Sequence, residues 1–133
     1  MNTQELVPDS LKGLLILVVD DEADNIWVIK DLLELNGAEV ITAYNGQEGL
    51  EMIKHRPHVI ITDLAMPVMS GYEMLAALKN DRATAEIPVI ALTAHVTDNY
   101  RIAAFEAGCH NFLVKPFTMK ALVNQVLTLI RDV

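Results

Sequence analysis

The chain has 133 residues, 52% of them hydrophobic, which fits one domain with a sizeable core. Its formal net charge of −8 argues against nucleic-acid binding, which requires clustered lysine and arginine. A single cysteine excludes an internal disulfide and favours a cytoplasmic setting. The longest apolar run, residues 14–19, is far shorter than the roughly 20 residues that cross a bilayer, so we expect no membrane association.

Apolar runs that resemble strands alternate with amphipathic stretches along the whole chain. Residues 14–19 form a continuous apolar run, typical of a strand buried on both faces, and Ile26, Ile29 and Leu33 then share one side of a helix. The later predicted elements are, in chain order, a strand at 39–43, a helix at 47–55, a strand at 58–62, a helix at 72–80, a strand at 88–92, a helix at 98–107, a strand at 111–114 and a helix from 119 to about 130.

Five successive strand–helix units predict an α/β fold. Such units form a parallel sheet with helices on both faces, and right-handed crossovers leave only a few doubly wound arrangements. Gly37, Pro57 and Gly108 are placed to end helices. We expect residues 1–12 to form a loose N-terminal arm and residues 13–133 to form the domain.

Polar side chains follow four of the predicted strands directly. Asp20 and Asp21 follow the first strand, Asp63 the third, Thr93 the fourth and Lys115 the fifth. In a parallel sheet the carboxyl ends of all strands lie at one edge, where ligands bind. We therefore expect these side chains to gather around one site.

Three gathered carboxylates repel one another, so a compensating charge is needed. A hard divalent cation, Mg²⁺ or Mn²⁺, would supply it through oxygen ligands, and the ammonium of Lys115 would add to it. A carboxylate nucleophile, a metal and fixed donors are what phosphoryl transfer requires. Taken singly, Asp20, Asp21 and Thr93 could cap helices and Lys115 could be solvated, but this does not explain their shared position after strands.

Four segments resemble motifs of the receiver (response regulator) family of two-component signalling: residues 18–22, 63–71, 92–94 and 112–117. The resemblance extends from about residue 14 to 130. It implies a flavodoxin-like (βα)5 fold with strand order 2-1-3-4-5, similar to stand-alone chemotaxis regulators.

The resemblance also implies an acceptor and a metal site. Asp63 would be the phosphoacceptor and a metal ligand, Asp21 would bind Mg²⁺ directly, and Asp20 would act mainly through water. The backbone carbonyl of Ala65 would complete the protein ligands.

By the same resemblance, Thr93 and Lys115 would hold the phosphoryl oxygens, and the bond before Pro116 would be cis. Thr93 would also form a switch with Phe112, which lacks the hydroxyl that a tyrosine would carry. Two further positions would tune the lifetime of the phosphoryl group, and these are Ala65 and His95.

The resemblance implies a histidine kinase or a histidine phosphotransfer protein as the phosphodonor. The fourth helix, the fifth strand and the last helix would bind a downstream protein. We expect no attached output domain and no turnover of an external substrate, although a piece cut from a hybrid kinase would carry the same sequence.

Other functions fit the pattern less well. An aspartyl-phosphate phosphatase would place a D-x-D pair after the first strand, whereas Asp20 and Asp21 are adjacent and Asp63 follows the third strand. A flavodoxin-like electron carrier would need a first loop that accepts a flavin phosphate, which these acidic residues would repel. A purely structural pseudo-receiver would have lost a pocket residue, and none is missing.

Overall fold

The computed structural model describes residues 9–66, 69–94 and 97–131. Within these ranges, every helix is too short or too polar to pass through a membrane. The strands are β1 (Leu15–Val19), β2 (Glu39–Ala43), β3 (Val59–Asp63), β4 (Val89–Thr93) and β5 (Asn111–Val114), and the α-helices are α1 (Ala23–Leu35), α2 (Gly46–Met52), α3 (Gly71–Lys79), α4 (Asp98–Glu106) and α5 (Met119–Arg131).

The five strands form one parallel sheet in the order β2-β1-β3-β4-β5, which confirms the predicted fold class and strand order. Val19 pairs with Thr62 of β3, and Asp63 pairs with Leu92 of β4. Thr93 in turn pairs with Val114 of β5. The carboxyl ends of β1, β3, β4 and β5 therefore lie side by side along one edge.

Alternate strand residues enter two separate hydrophobic cores, one on each face of the sheet. Ile16 and Val18 pack with α1 and α5, whereas Leu17 and Val19 pack on the opposite face. The second face is covered by side chains of α2, α3 and α4. Burial of the sheet on both faces is the reason that its strands are continuous apolar runs.

The predicted second helix is shorter than expected. α2 ends at Met52, and a 3-10 turn spans Ile53–His55. Arg56 then takes a left-handed conformation with φ of 57°, which ends the helical turn before Pro57.

Two histidine side chains accept hydrogen bonds from the first residues of β1 and β4. The Nδ1 atom of His58 accepts a hydrogen bond from the Leu15 backbone N–H (2.9 Å), and the Nδ1 atom of His110 accepts one from the Val89 N–H (3.1 Å). The sequence had indicated only that these histidines lack the spacing of metal ligands.

Residues 9–13 are packed onto the domain, unlike the loose arm expected up to residue 12. Leu11 is completely buried in the core beneath α1 and α5, and its N–H donates to the Asn36 carbonyl (2.8 Å). Gly37 has φ of 97°, and a Cβ there would lie 2.9 Å from the Cα of Asp9. One apolar side chain thus anchors the segment; residues 1–8 lie outside the described ranges.

Replacing Leu11 by alanine should lower the free energy of unfolding by about 2–4 kcal/mol, because it removes a fully buried side chain and leaves a cavity. Urea unfolding followed by circular dichroism measures the loss. Leu35→Ala is the matched control, since Leu35 is 71% exposed and should change stability by less than about 0.5 kcal/mol. Equal effects of the two variants would contradict the anchoring role of Leu11.

Candidate functional site

Asp20 is the buried member of the acidic cluster. It follows β1 and is completely inaccessible to solvent. Its Oδ1 accepts from the Glu22 backbone N–H (2.9 Å), at the start of α1, and its Oδ2 accepts from the side-chain amide of Asn25 (3.2 Å). These bonds fix the carboxylate in place ahead of α1, whose N-cap is Glu22 and not Asp20, so Asp20 belongs to the site and is not a helix cap.

Asp63 lies at the end of β3 and is partly accessible. Its Oδ1 accepts a hydrogen bond from the Ala65 backbone N–H (3.0 Å). Burial raises the pKa of the Asp63 carboxyl above its ordinary value, and the nearby charges of Asp20 and Asp21 act in the same direction. The Ala65 N–H and the Lys115 ammonium oppose that rise. The charged form of Asp63 is therefore disfavoured first by burial and then by its acidic neighbours.

Asp20, Asp21 and Asp63 form the predicted cluster of carboxylates. One oxygen from each lies within 4.8 Å of the others, and Asp21 is exposed to solvent. A set of carboxylate oxygens at this spacing suits a hard divalent cation that retains some of its waters. The donor set thus fits Mg²⁺ or Mn²⁺, which would neutralise the shared negative charge.

Lys115 extends from the end of β5 toward both carboxylates. Its Nζ lies 3.5 Å from Oδ2 of Asp20 and 4.0 Å from Oδ2 of Asp63. The Lys115–Pro116 peptide bond is cis, the isomer that the resemblance implied. The structure therefore brings together all four charged residues selected from the sequence.

Thr93 ends β4 beside this cluster and is only 4% exposed. Its carbonyl accepts from the backbone N–H of Lys115 (2.7 Å), which ties the two predicted phosphoryl-binding residues together. Burial raises the pKa of Tyr100 of α4, and the side chain of Thr93 opposes that rise.

The loop after Asp63 returns to the site through Gly71. The Gly71 N–H donates to the Leu64 carbonyl (3.0 Å). A Cβ at this position would lie 2.5 Å from the Asp63 carbonyl oxygen, so only glycine permits this approach. Ser70 then caps the start of α3 and forms a capping box with Glu73.

The remaining predicted site residues lie nearby or outside the described ranges. Ala65 is exposed two residues after Asp63, and Phe112 is half-buried on β5. His95 lies outside the described residues. The sequence did not indicate the contact of Asn25 with the site, because helical periodicity does not show that its amide reaches back to the Asp20 carboxylate.

The chain belongs to the response regulator receiver domain family, whose model matches residues 16–127. It is 38% identical to the transcriptional regulatory protein PrrA of Mycobacterium tuberculosis over 87% of this chain and 49% of that protein. The chain thus spans about half the length of the curated relatives it matches. Receiver domains are signalling domains of two-component systems, rather than enzymes that turn over a substrate.

Solved structures agree with this assignment. The signal receiver domain of a histidine kinase from Syntrophus aciditrophicus has a TM-score of 0.83 and 31% identity, covering 91% of this chain and 92% of that one. The chemotaxis response regulator CheY4 of Vibrio cholerae has a TM-score of 0.80 and 30% identity, covering 87% of this chain and 98% of that one. The same fold therefore occurs in a kinase and in a chemotaxis regulator.

Asp63→Asn should stabilise the metal-free protein. Because the folded pKa of Asp63 lies above its unfolded pKa, the protonated carboxyl favours folding at low pH, and this contribution is lost as pH rises through the folded pKa. At pH 7 the variant removes a repelled charge, so its melting temperature should rise by roughly 2–6 °C, the range expected for about 1 kcal/mol.

Differential scanning fluorimetry at pH 7 in a chelator measures this rise, with the exposed Asp31→Asn as the control. Added Mg²⁺ should then stabilise the unaltered protein more than Asp63→Asn, because the variant lacks one carboxylate of the cluster. A fall in melting temperature for Asp63→Asn, or equal stabilisation by Mg²⁺, would contradict this account of the electrostatics.

Proposed function

We propose that Asp63 accepts a phosphoryl group from a phosphorylated histidine, and that this change alters a partner-binding surface of the domain. One observation carries the proposal. A carboxylate oxygen of Asp63 lies within 4.8 Å of carboxylate oxygens of Asp20 and Asp21, and Nζ of Lys115 lies 4.0 Å from Oδ2 of Asp63. The partly accessible carboxylate of Asp63 is therefore surrounded by charges of both signs.

The proposed reaction is a phosphoryl transfer to a carboxylate. An oxygen of Asp63 forms a bond to phosphorus while the bond from phosphorus to the donor histidine nitrogen breaks, and that nitrogen keeps the electron pair and later takes up a proton. The side chain of Asp63 is suited to this attack because its Oδ1 is held by the Ala65 N–H. Mg²⁺ would neutralise charge on the transferring group.

Other pocket residues would bind different oxygens of the phosphoryl group. Lys115 reaches the site as a compact positive charge, and Thr93 would donate its hydroxyl to a second oxygen. Asp20 and Asp21 would hold the metal together with Asp63, and the Ala65 carbonyl would complete the protein ligands.

A groove beside Lys115 offers a binding surface for the protein that donates the phosphoryl group. It has a volume of about 360 Å³, lies between α1 and the segment that follows β5, and is lined partly by Val28 and Phe117. Trp27, on the same helix, is 63% exposed. We propose that this apolar face binds the kinase or the phosphotransfer protein. We also propose a cytoplasmic location, because a free cysteine such as Cys109 is common in proteins of that compartment.

We place the downstream surface on α4, β5 and α5. Ile102 and Phe105 of α4 are 56% and 48% exposed, so two large apolar side chains of one helix are open to a protein contact. Phe112 of β5 lies directly beside Phe105, with ring centroids 5.8 Å apart. A change at Thr93 would reach this surface through the neighbouring strand.

Asp63→Asn should abolish labelling by acetyl phosphate in the presence of Mg²⁺, because the amide is not a nucleophile. Intact mass spectrometry detects the added phosphoryl group, and Asp31→Asn should be labelled like the unaltered protein. Removing the divalent cation with a chelator should also stop labelling. Undiminished labelling of Asp63→Asn would refute the acceptor, and metal-independent labelling would refute the role of the acidic cluster.

Lys115→Ala should leave the fold intact but weaken binding of beryllofluoride, a phosphoryl mimic, by at least about tenfold, since it removes a positive charge that lies against both carboxylates. Calorimetric titration in Mg²⁺ measures the affinity. Lys120→Ala is the matched control because Lys120 is exposed on α5. Equal affinities of the two variants would show that Lys115 is dispensable for phosphoryl binding.

A further inference from the structure

The amino edge of the sheet, where the strands begin, is joined by two similar pairs of hydrogen bonds. His58, just before β3, donates its N–H to the Leu15 carbonyl (2.7 Å), and the Leu15 N–H donates to Nδ1 of His58 (2.9 Å). His110, just before β5, donates its N–H to the Val89 carbonyl (2.8 Å), and the Val89 N–H donates to Nδ1 of His110 (3.1 Å). Each such pair of bonds, here called a histidine clip, joins one strand to the first residue of its neighbour.

The path of the chain accounts for the role of the two imidazoles. A strand that continued past this edge would offer a backbone carbonyl to the N–H groups of Leu15 and Val89. Instead, the chain turns two residues before each histidine, at Arg56 with φ of 57° and at Gly108 with φ of 109°. The imidazole nitrogen takes the place of that carbonyl, so that both N–H groups have an acceptor.

Both clips require a particular protonation state of the ring. An imidazole accepts a hydrogen bond at Nδ1 only while this nitrogen carries no proton. A backbone N–H directed at Nδ1 therefore assigns the neutral ring, with its proton on Nε2, to His58 and His110. A proton on Nδ1 would turn the acceptor into a donor that faces another donor, and the bond would be lost.

The charged groups around the rings act on this protonation. Burial lowers the pKa of His110, the charge of Lys79 at the end of α3 lowers it further, and Glu86 opposes the change. The Lys79 ammonium is held in the loop before β4 by the Ala85 carbonyl (2.9 Å). Glu86 also lines, together with His58, a cavity of about 440 Å³ at the same edge.

We infer that the two histidine clips make the amino edge of the sheet sensitive to pH, because each clip closes only while its ring is neutral and opens when the ring gains a proton. Opening releases the first residues of β1 and β4, while the buried middle of each strand keeps its ladder of hydrogen bonds. The inference is independent of the proposed function, since the clips lie at the edge opposite the one that carries Asp63.

The lowered pKa of His110 gives the direction of the effect on stability. The folded domain binds a proton at this ring less readily than the unfolded chain, in which a histidine titrates near pH of about 6.5. The contribution of the neutral ring is therefore fully present above that value and is lost as the pH falls from there through the folded pKa. Mild acidification should thus weaken the domain at this edge.

Asparagine provides a direct test, because its amide oxygen can accept the same hydrogen bond and does not titrate. Between about pH 7.5 and about pH 5.5, the melting temperature of the unaltered protein should fall further than that of the double variant His58→Asn/His110→Asn. The difference should be roughly 2–6 °C for each histidine replaced, the value expected for one hydrogen bond. Differential scanning fluorimetry in a chelator measures it, and the carboxylates of the acceptor site contribute equally to both proteins.

Two further variants serve as controls. His55→Asn replaces an exposed histidine at the end of the 3-10 turn and should keep the pH response of the unaltered protein. The double variant His58→Ala/His110→Ala removes both acceptors, so it should melt at a lower temperature than the asparagine variant at the higher pH and should show the same small response to acid.

NMR of the unaltered protein gives a local readout that needs no substitution. Imidazole nitrogen shifts at the higher pH should place the proton of His58 and His110 on Nε2. At the lower pH, the protection of the Leu15 and Val89 amides against hydrogen exchange, corrected for the intrinsic rate, should fall by about two- to tenfold, the equivalent of one hydrogen bond. The asparagine variant should keep this protection.

Equal falls in melting temperature for the unaltered protein and the double asparagine variant would overturn the inference. A proton on Nδ1 at the higher pH, or unchanged protection of the two amides in acid, would overturn it as well. A response at one histidine alone would remove the other clip from the device.

Discussion

The candidate site of this domain requires several negatively charged carboxylates to lie close together at one edge of a parallel sheet. Asp20 is fully buried, yet its oxygens are satisfied by the Glu22 N–H, the Asn25 amide and the nearby Lys115 ammonium. A buried charge without such partners would be strongly destabilising. This set of partners allows Asp63 to sit beside Asp20 with a raised pKa and to remain available for chemistry.

The same charge cluster links the stability of the domain to its proposed signalling. Burial of the Asp63 carboxylate and its repulsion by Asp20 and Asp21 oppose folding, and a cation or a phosphoryl group held by Lys115 would change that balance. Functional sites commonly carry such destabilisation, which the rest of the fold offsets. Here the offset comes from two cores that bury the sheet on both faces.

Propagation of a signal requires an element with two arrangements of similar energy. The described contacts of α4 with the ring of Phe112 on β5 are weak enough to meet this requirement. The exposed side chains of Arg101 and Phe105 pack against that ring. Contacts of this strength can be exchanged by a local change of charge, whereas the buried strands cannot rearrange in this way.

The sequence alone determined the fold class and which charged residues meet, since an apolar run followed by Asp20, Asp63 or Lys115 fixes both a buried parallel strand and the edge at which its end lies. Only the tertiary structure decided the anchoring of Leu11 and the contact of Arg101 with the ring of Phe112. Periodicity reports which face of an element is buried, but the partner of a side chain depends on how distant elements pack, and no local pattern encodes that packing.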